Sequence, residues 1–325
     1  MSTVTSGSPR TDAAVRTRGL TKRFGSRTAV DALDLEVPTG SVFGLIGPNG
    51  AGKSTTMRML IDVLRPSAGS VSVLGRSPRR GGARLRRRIG YLPGEVTLPP
   101  GTGRAVLRHL ADLTGSSTAD RRSEELAERL DVDLGRSIRT LSKGNKQKIA
   151  IIQAFAHDPD LLLLDEPTSG LDPLVQQTFL DLVREARDAG RTVFLSSHVL
   201  SEIQHVADSA AVLNRGRLVT VSSIDALRRA QSRRVAARLA GAAEAEVSQA
   251  LGAVPALAAL TVARPDPTLL PTGSDADVVD VSGVLDGHAD ELVKALARFR
   301  VVELAVQEQD LEESVLAMYD ATEAR

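Results

Sequence analysis

The sequence has no cysteine, which excludes disulfides, thiolate metal sites and cysteine nucleophiles. It also lacks tryptophan, and its aromatics are limited to six phenylalanines and two tyrosines. That leaves little for the stacking platforms that hold single-stranded nucleic acid, so no nucleic-acid partner is expected. Charge of one sign is missing too. Lysine and arginine number 41 against 40 aspartates and glutamates, a net +1, so no bulk field recruits nucleic acid or a membrane surface. Long apolar runs are absent. Ile149–Ala156 and Leu161–Leu164 fall far short of the roughly 18 to 20 residues of a membrane span, so any membrane-spanning part is expected on another chain. Met1–Asp12 is rich in Ser and Thr without an apolar core, which predicts a disordered tail over residues 1–14 and not a signal peptide.

What is present fits a packed protein of 325 residues, enough for one or two domains. The chain is organised around Gly47-Pro48-Asn49-Gly50-Ala51-Gly52-Lys53-Ser54-Thr55, which fits the phosphate-binding pattern G-x-x-x-x-G-K-S/T. An apolar run, Ser41–Ile46, reads as the strand before it, and Thr56–Leu64 as the helix after it. Without Cβ atoms, glycines let backbone N–H groups approach phosphate oxygens, and the new helix turns its positive end to the same anion. Lys53 can reach the β- and γ-phosphates, and the Ser54 hydroxyl suits the oxygen shell of Mg²⁺.

Val15–Leu20 and Ala32–Val37 read as alternating strands, with Phe24 in the turn between them. Gly69–Leu74 is a further strand. Gly75–Arg88 reads as a loop whose seven arginines form a solvated face rather than a docking site. Strand Ile89–Pro93, helices Arg104–Leu113, Ala119–Leu130 and Lys143–Ala156, and strand Leu161–Leu164 follow. Then come helix Pro173–Ala189, strand Arg191–Ser196, a helix from His198, and a hairpin around Arg215-Gly216. Alternating strands and helices predict an α/β fold with a mostly parallel sheet. A linking helix, Ile224–Gln231, opens a second region with the order β-α-β-β-α-β, which predicts a small α+β domain of split βαβ type ending in a helix over Leu311–Tyr319. Asp275, Asp277 and Asp280 read as a solvated loop and strand end, not a metal site.

The apolar strand Leu161–Leu164 runs into Asp165 and Glu166. An acid at that point can hold Mg²⁺ through water, and the next one can polarise a water aimed at a terminal phosphate. Leu141-Ser142-Lys143-Gly144-Asn145-Lys146-Gln147-Lys148 precedes a helix; taken alone, Ser142 there reads as an ordinary helix cap.

Together with Pro167–Pro173 and Ser197-His198, these segments have the order and spacing of an ABC-type ATPase, a P-loop NTPase. The resemblance covers roughly Val15 to Ser223. Within that superfamily the chain resembles the ATP-binding subunits of ABC-2-type exporters, in particular the daunorubicin-resistance type. The resemblance implies an ATP-binding domain over residues 15–222, with antiparallel β and helical subdomains, and an accessory domain over residues 223–325. It implies that Phe24 stacks on adenine, and that Gly47, Asn49, Gly50, Gly52, Lys53, Ser54 and Thr55 hold the phosphates of ATP and Mg²⁺. Asp165 supports the metal, Glu166 is the general base, and His198 senses the γ-phosphate. Ser142 and Gly144 contact the nucleotide of a second subunit, and Asp172 communicates across the dimer. The expected partners are a second copy and an integral membrane permease, at the cytoplasmic face of the cell membrane. The family usually carries glutamine where this chain has Gly94; Glu95 follows one residue late, which directs its side chain elsewhere. Lys143 and Asn145 also depart from the commonest signature. Two other readings stand beside this one. One is a soluble ABC-type ATPase acting on nucleic acid or ribosomes, opposed by the single cassette and the neutral charge. The other is a binding-only regulatory subunit, supported by Gly94 and opposed by Asp165, Glu166 and His198.

Overall fold

The computed structural model describes residues 13–229, 233–265 and 278–308. The chain divides into two compact units, Met1–Ile224 and Asp225–Arg325. In the first, β1 (Ala13–Phe24) and β2 (Arg27–Pro38) form a hairpin, β3 (Val42–Ile46) leads through the glycine loop into α1 (Lys53–Leu60), and β4 (Ala68–Val73) returns to the hairpin. Next come α2 (Pro78–Arg86), β5 (Ile89–Leu92), and the helices α3 (Gly103–Thr114), α4 (Ala119–Arg129) and α5 (Lys143–Phe155). They are followed by β6 (Leu161–Asp165), α6 (Pro173–Asp188), β7 (Thr192–Ser197), the short α7 (Leu200–Gln204), β8 (Ser209–Asn214) and β9 (Arg217–Ser223), and α8 (Ile224–Arg229) spans the boundary.

The main sheet has the order β5-β6-β7-β3-β8-β9 and is parallel except for β9, which pairs antiparallel with β8. Every residue of β3, β6 and β7 is buried, as expected of parallel strands covered on both faces. A smaller antiparallel sheet has the order β2-β1-β4. Its strand β2 alternates, with Leu33, Leu35 and Val37 buried and Glu36 exposed, so one face meets the core and the other meets water. The two sheets share a core in which Leu20, Leu33, Met57, Leu60, Leu163 and Phe194 are fully buried. Phe43 and Phe194 meet edge to face inside it, at 5.7 Å between centroids.

The second unit holds β10 (Arg233–Ala240), α9 (Glu244–Gly252), β11 (Leu257–Ala263), β12 (Val278–Leu285), α10 (Asp290–Leu296) and β13 (Arg300–Glu308). Its antiparallel sheet has the order β11-β12-β10-β13, the arrangement of a split βαβ unit. Val235, Leu239 and Val281 pack there against Leu251 and Leu292 in a core of its own.

Several expectations change. Phe24 is the last residue of β1, not part of a turn, because pairing extends to the hairpin tip. The helix after the glycine loop ends at Leu60, since Asp62 turns left-handed (φ 64°) and Val63 and Leu64 bond back to the Arg58 carbonyl. Gly75–Arg88 is not all loop. Pro78 starts α2 and buries with Leu85, while a non-helical Gly82 kinks it. Arg79, Arg80, Arg84 and Arg86 are exposed on that helix, and Arg88 pairs with Asp160. Asp280 is held by both nitrogens of Arg238, at 2.7 and 3.0 Å. Asp275, Asp277, the tail Met1–Asp12 and the helix expected over Leu311–Tyr319 lie outside the described residues. Among those that are described, no helix is long and apolar enough to cross a membrane.

Candidate nucleotide site

The buried strand β3 delivers the glycine loop to the middle of the main sheet, between β7 and β8. Glycine is required here by close approach. A Cβ on Gly47 would collide with the Leu213 carbonyl, and one on Gly52 (φ 106°) would lie 2.6 Å from the Ala29 carbonyl. The loop ends at α1, whose first N–H groups, from Lys53, Ser54 and Thr55, have no partner within the helix. Together they form a concave, positively polarised cradle. Lys53 is only 5% exposed. Its ammonium donates to the carbonyls of Gly47 (2.5 Å) and Pro48 (3.3 Å), which ties the loop closed.

The buried strand β6 brings two carboxylates to this cradle. Glu166 forms an ion pair with Lys53 (3.2 Å), and its other oxygen meets His198 Nδ1 at 2.6 Å. The Glu166 backbone is left-handed (φ 49°), and its N–H donates to the carbonyl and hydroxyl oxygens of Ser196. Gln147, from α5, clamps the next turn by donating to the Pro167 carbonyl at 2.8 Å. Asp165 is fully buried. Its Oδ1 accepts from the Ser196 hydroxyl at 2.6 Å, but its Oδ2 has no hydrogen-bond partner. Gly94 packs beside that oxygen, so closely that a Cβ there would lie 3.0 Å away. The Tyr91 hydroxyl is pushed above its ordinary pKa, first by burial and then by the Asp165 charge, with Arg58 opposing.

An orphaned, buried carboxylate oxygen fits a hard divalent cation, and the half-buried Ser54 hydroxyl supplies a second oxygen of the right chemistry. Among the described residues no cluster of three or more metal-binding side chains occurs, so most ligands of such an ion must come from nucleotide and water. Glu95, one residue on, is exposed.

A cleft of about 370 Å³ covers the cradle, within the range of small-molecule sites. It is lined by Phe24, Arg27, Ala29, the loop from Asn49 to Thr55, and Glu166. Phe24 is 48% exposed, and the Lys22 ammonium lies 4.9 Å from its ring centroid. Ser142, Gly144 and Asp172 do not line the cleft but gather elsewhere. Ser142 caps α5 by accepting from the Asn145 N–H, Gly144 packs against the Gly170 carbonyl, and Lys143 reaches the Ser169 hydroxyl. Asp172 caps α6 through the N–H groups of Leu174 and Val175. Thus the residues singled out in sequence fall into two groups within one chain. Arg27, Ser196 and Lys22 were not among them. For Arg27 a signal existed: residues flanking a two-residue hairpin turn face the same side.

The chain matches the family described as ABC transporter over residues 30–169. The daunorubicin/doxorubicin resistance ATP-binding protein DrrA of Streptomyces peucetius is 42% identical over 212 residues, 63% of this chain and 64% of that protein, just short of two thirds of its length. A fluoroquinolones export ATP-binding protein of Mycobacterium tuberculosis is 36% identical over 225 residues, 68% of this chain and 74% of that one. This chain belongs to the ABC transporter ATPases. A solved ATP-binding subunit of an ABC transporter superposes on the ATPase with a TM-score of 0.63 at 31% identity, covering 66% of this chain and 92% of the other. An ATP-binding cassette solved as a dimer with ADP and Pi has the same fold, with a TM-score of 0.60 at 21% identity over 65% and 98% of the two chains. The ATPase unit therefore has the mixed sheet of that family, and the second unit adds an antiparallel sheet.

Proposed function

We propose that this ATPase powers export of a drug-like, antibiotic or lipid-like cargo through a separate membrane permease, working as a dimer that encloses two ATP molecules. The observation that carries the reading is the convergence of Lys53, Glu166 and His198 at the glycine cradle, beside a free Asp165 oxygen. In this reading residues 15–222 form the ATP-binding domain and residues 223–325 an accessory domain. The backbone from Asn49 to Thr55 cradles the phosphates, and Phe24 offers its ring to the base. Ser54 and Asp165 would hold Mg²⁺, which supplies positive charge against the phosphate oxygens. Arrival of the phosphates gives Lys53 a new partner and frees Glu166, which His198 still orients. Glu166 then takes a proton from water as the water oxygen attacks the terminal phosphorus and the bond to the departing ADP oxygen breaks.

Ser142 and Gly144 lie apart from the cleft of their own chain, which supports their use on the nucleotide of a second copy. Asp172 would communicate across that dimer. Relatives named for daunorubicin/doxorubicin resistance and for fluoroquinolones export support a small-molecule cargo, to be recognised by the permease. The ATPase would then sit at the cytoplasmic face of the cell membrane.

Glu166→Gln is expected to lower ATP turnover about 10²- to 10⁴-fold while ATP still binds. Phosphate release and nucleotide affinity measured on the same preparation check this, and turnover near wild type would remove Glu166 as base. A pull-down from gently solubilised membranes tests the partner. A stoichiometric multi-span protein supports the exporter, whereas ribosomal or nucleic-acid partners would support a soluble ATPase instead.

A further inference from the structure

The tip of the β1–β2 hairpin carries a cation without an assigned use. Phe24 and Arg27 flank the turn Gly25-Ser26 and pair directly across it. Opposed residues of an antiparallel pair project from the same face, so the ring and the guanidinium stand side by side. Both line the cleft over the glycine loop. The Arg27 guanidinium lies 3.8 Å from the point that a Cβ on Gly50 would occupy, at the rim of the phosphate cradle.

The cations around it have partners. Lys53 meets Glu166, Arg217 meets Asp31, and Lys22 donates to the Arg65 carbonyl beneath the Phe24 ring. Arg27 is exposed, and its guanidinium makes no ion pair or side-chain hydrogen bond among the described residues. A planar fork of donors beside a nest of backbone N–H groups suits phosphate oxygens, which accept two parallel bonds from guanidinium. Lys53 already serves the inner end of the cradle, and Phe24 marks the base end. Arg27 stands next to Phe24 and so reaches the phosphates nearer the base.

We propose that Arg27 is a nucleotide-binding residue, donating to oxygens of the α- or β-phosphate while the neighbouring Phe24 ring stacks on the base. The assignment rests on the ATP-binding reading above. It adds a contact that ATP and ADP share and that a nucleoside cannot make. The hairpin tip thereby becomes a two-pronged clamp, one prong apolar and one charged.

The test uses the full chain and its Arg27→Ala, Arg27→Lys and Lys53→Ala variants, with ATP and ADP affinities measured by calorimetry. Weak adenosine binding is followed by ligand-observed NMR. Arg27→Ala is expected to weaken ATP and ADP by a similar factor, roughly tenfold as for a hydrogen bond to a charged group, and to leave adenosine unchanged. Arg27→Lys is expected to restore part of the loss, because the charge remains without the fork. Unchanged ATP and ADP binding in Arg27→Ala, with Lys53→Ala impaired, would overturn the Arg27 assignment alone. Equal loss of adenosine would also overturn it, by showing that the hairpin tip merely supports the base. A wild-type chain that fails to bind ATP, or a Lys53→Ala variant that binds it undiminished, would overturn the nucleotide site and this assignment with it.

Discussion

His157 lies just past the C-terminal end of α5, with its Nε2 buried and unpartnered. Burial pushes its pKa below the ordinary histidine value, outweighing hydrogen bonds involving Ile89 and Gln153 that push it up. The folded chain thus keeps this imidazole neutral where the unfolded chain takes a proton, near pH 6.5. Stability is therefore full above that pH and falls as the pH drops toward the lower folded value. His157→Gln is expected to flatten the decline. Urea midpoints of both proteins between about pH 7.5 and 5.5 check it, and parallel curves would contradict it. At the same scale, Asp165 and Glu166 are neighbours in sequence yet face different partners. One buried oxygen of Asp165 is left open, whereas both Glu166 oxygens are engaged.

Among the elements, α6 lets helix capping be tested apart from the second role proposed for its first carboxylate. Asp172 accepts from two N–H groups at its start and is followed by Pro173. Asp172→Ala is expected to cost about 1 kcal/mol of stability, while Asp172→Asn keeps the cap. Thermal melts check that, and any ATPase defect shared by both variants would belong to a second role for the carboxylate. Most elements were legible because one local signal dominated: all-apolar β6, α6 opening on Pro173, and β8 and β9 around Arg215-Gly216. α2 was not, since only Pro78 and Leu85 bury among its arginines and Gly82 interrupts its pattern. The candidate site was legible where its residues are contiguous, as in Gly47–Thr55 and Asp165-Glu166. It was hidden where tertiary proximity assembles it. Ser196 reaches Asp165 from β7, and Gln147 reaches Pro167 from α5. Neither contact has a local pattern to announce it.

As a whole, the molecule is two compact units, and each has its own buried core. All residues lining the cleft belong to the first. Residues 1–224 expressed alone are therefore expected to fold cooperatively and to bind ATP with the affinity of the full chain. Circular dichroism melts and calorimetry check this. A fragment that is folded but unable to bind would assign the second unit a part in the site. The balanced charge of +1 adds a second expectation at this scale. Any encounter with a membrane partner must rest on local shape and pairing and not on long-range attraction.

The left-handed backbone at Glu166 has a bearing on protein engineering. A residue with a Cβ held there costs about 1 to 2 kcal/mol, which glycine would relieve. A library screened only for heat tolerance would thus be drawn toward discarding the carboxylate proposed to do the chemistry. Sturdier descendants of this chain would accumulate as inert ones, so thermal selection has to be coupled to a turnover screen from its first round.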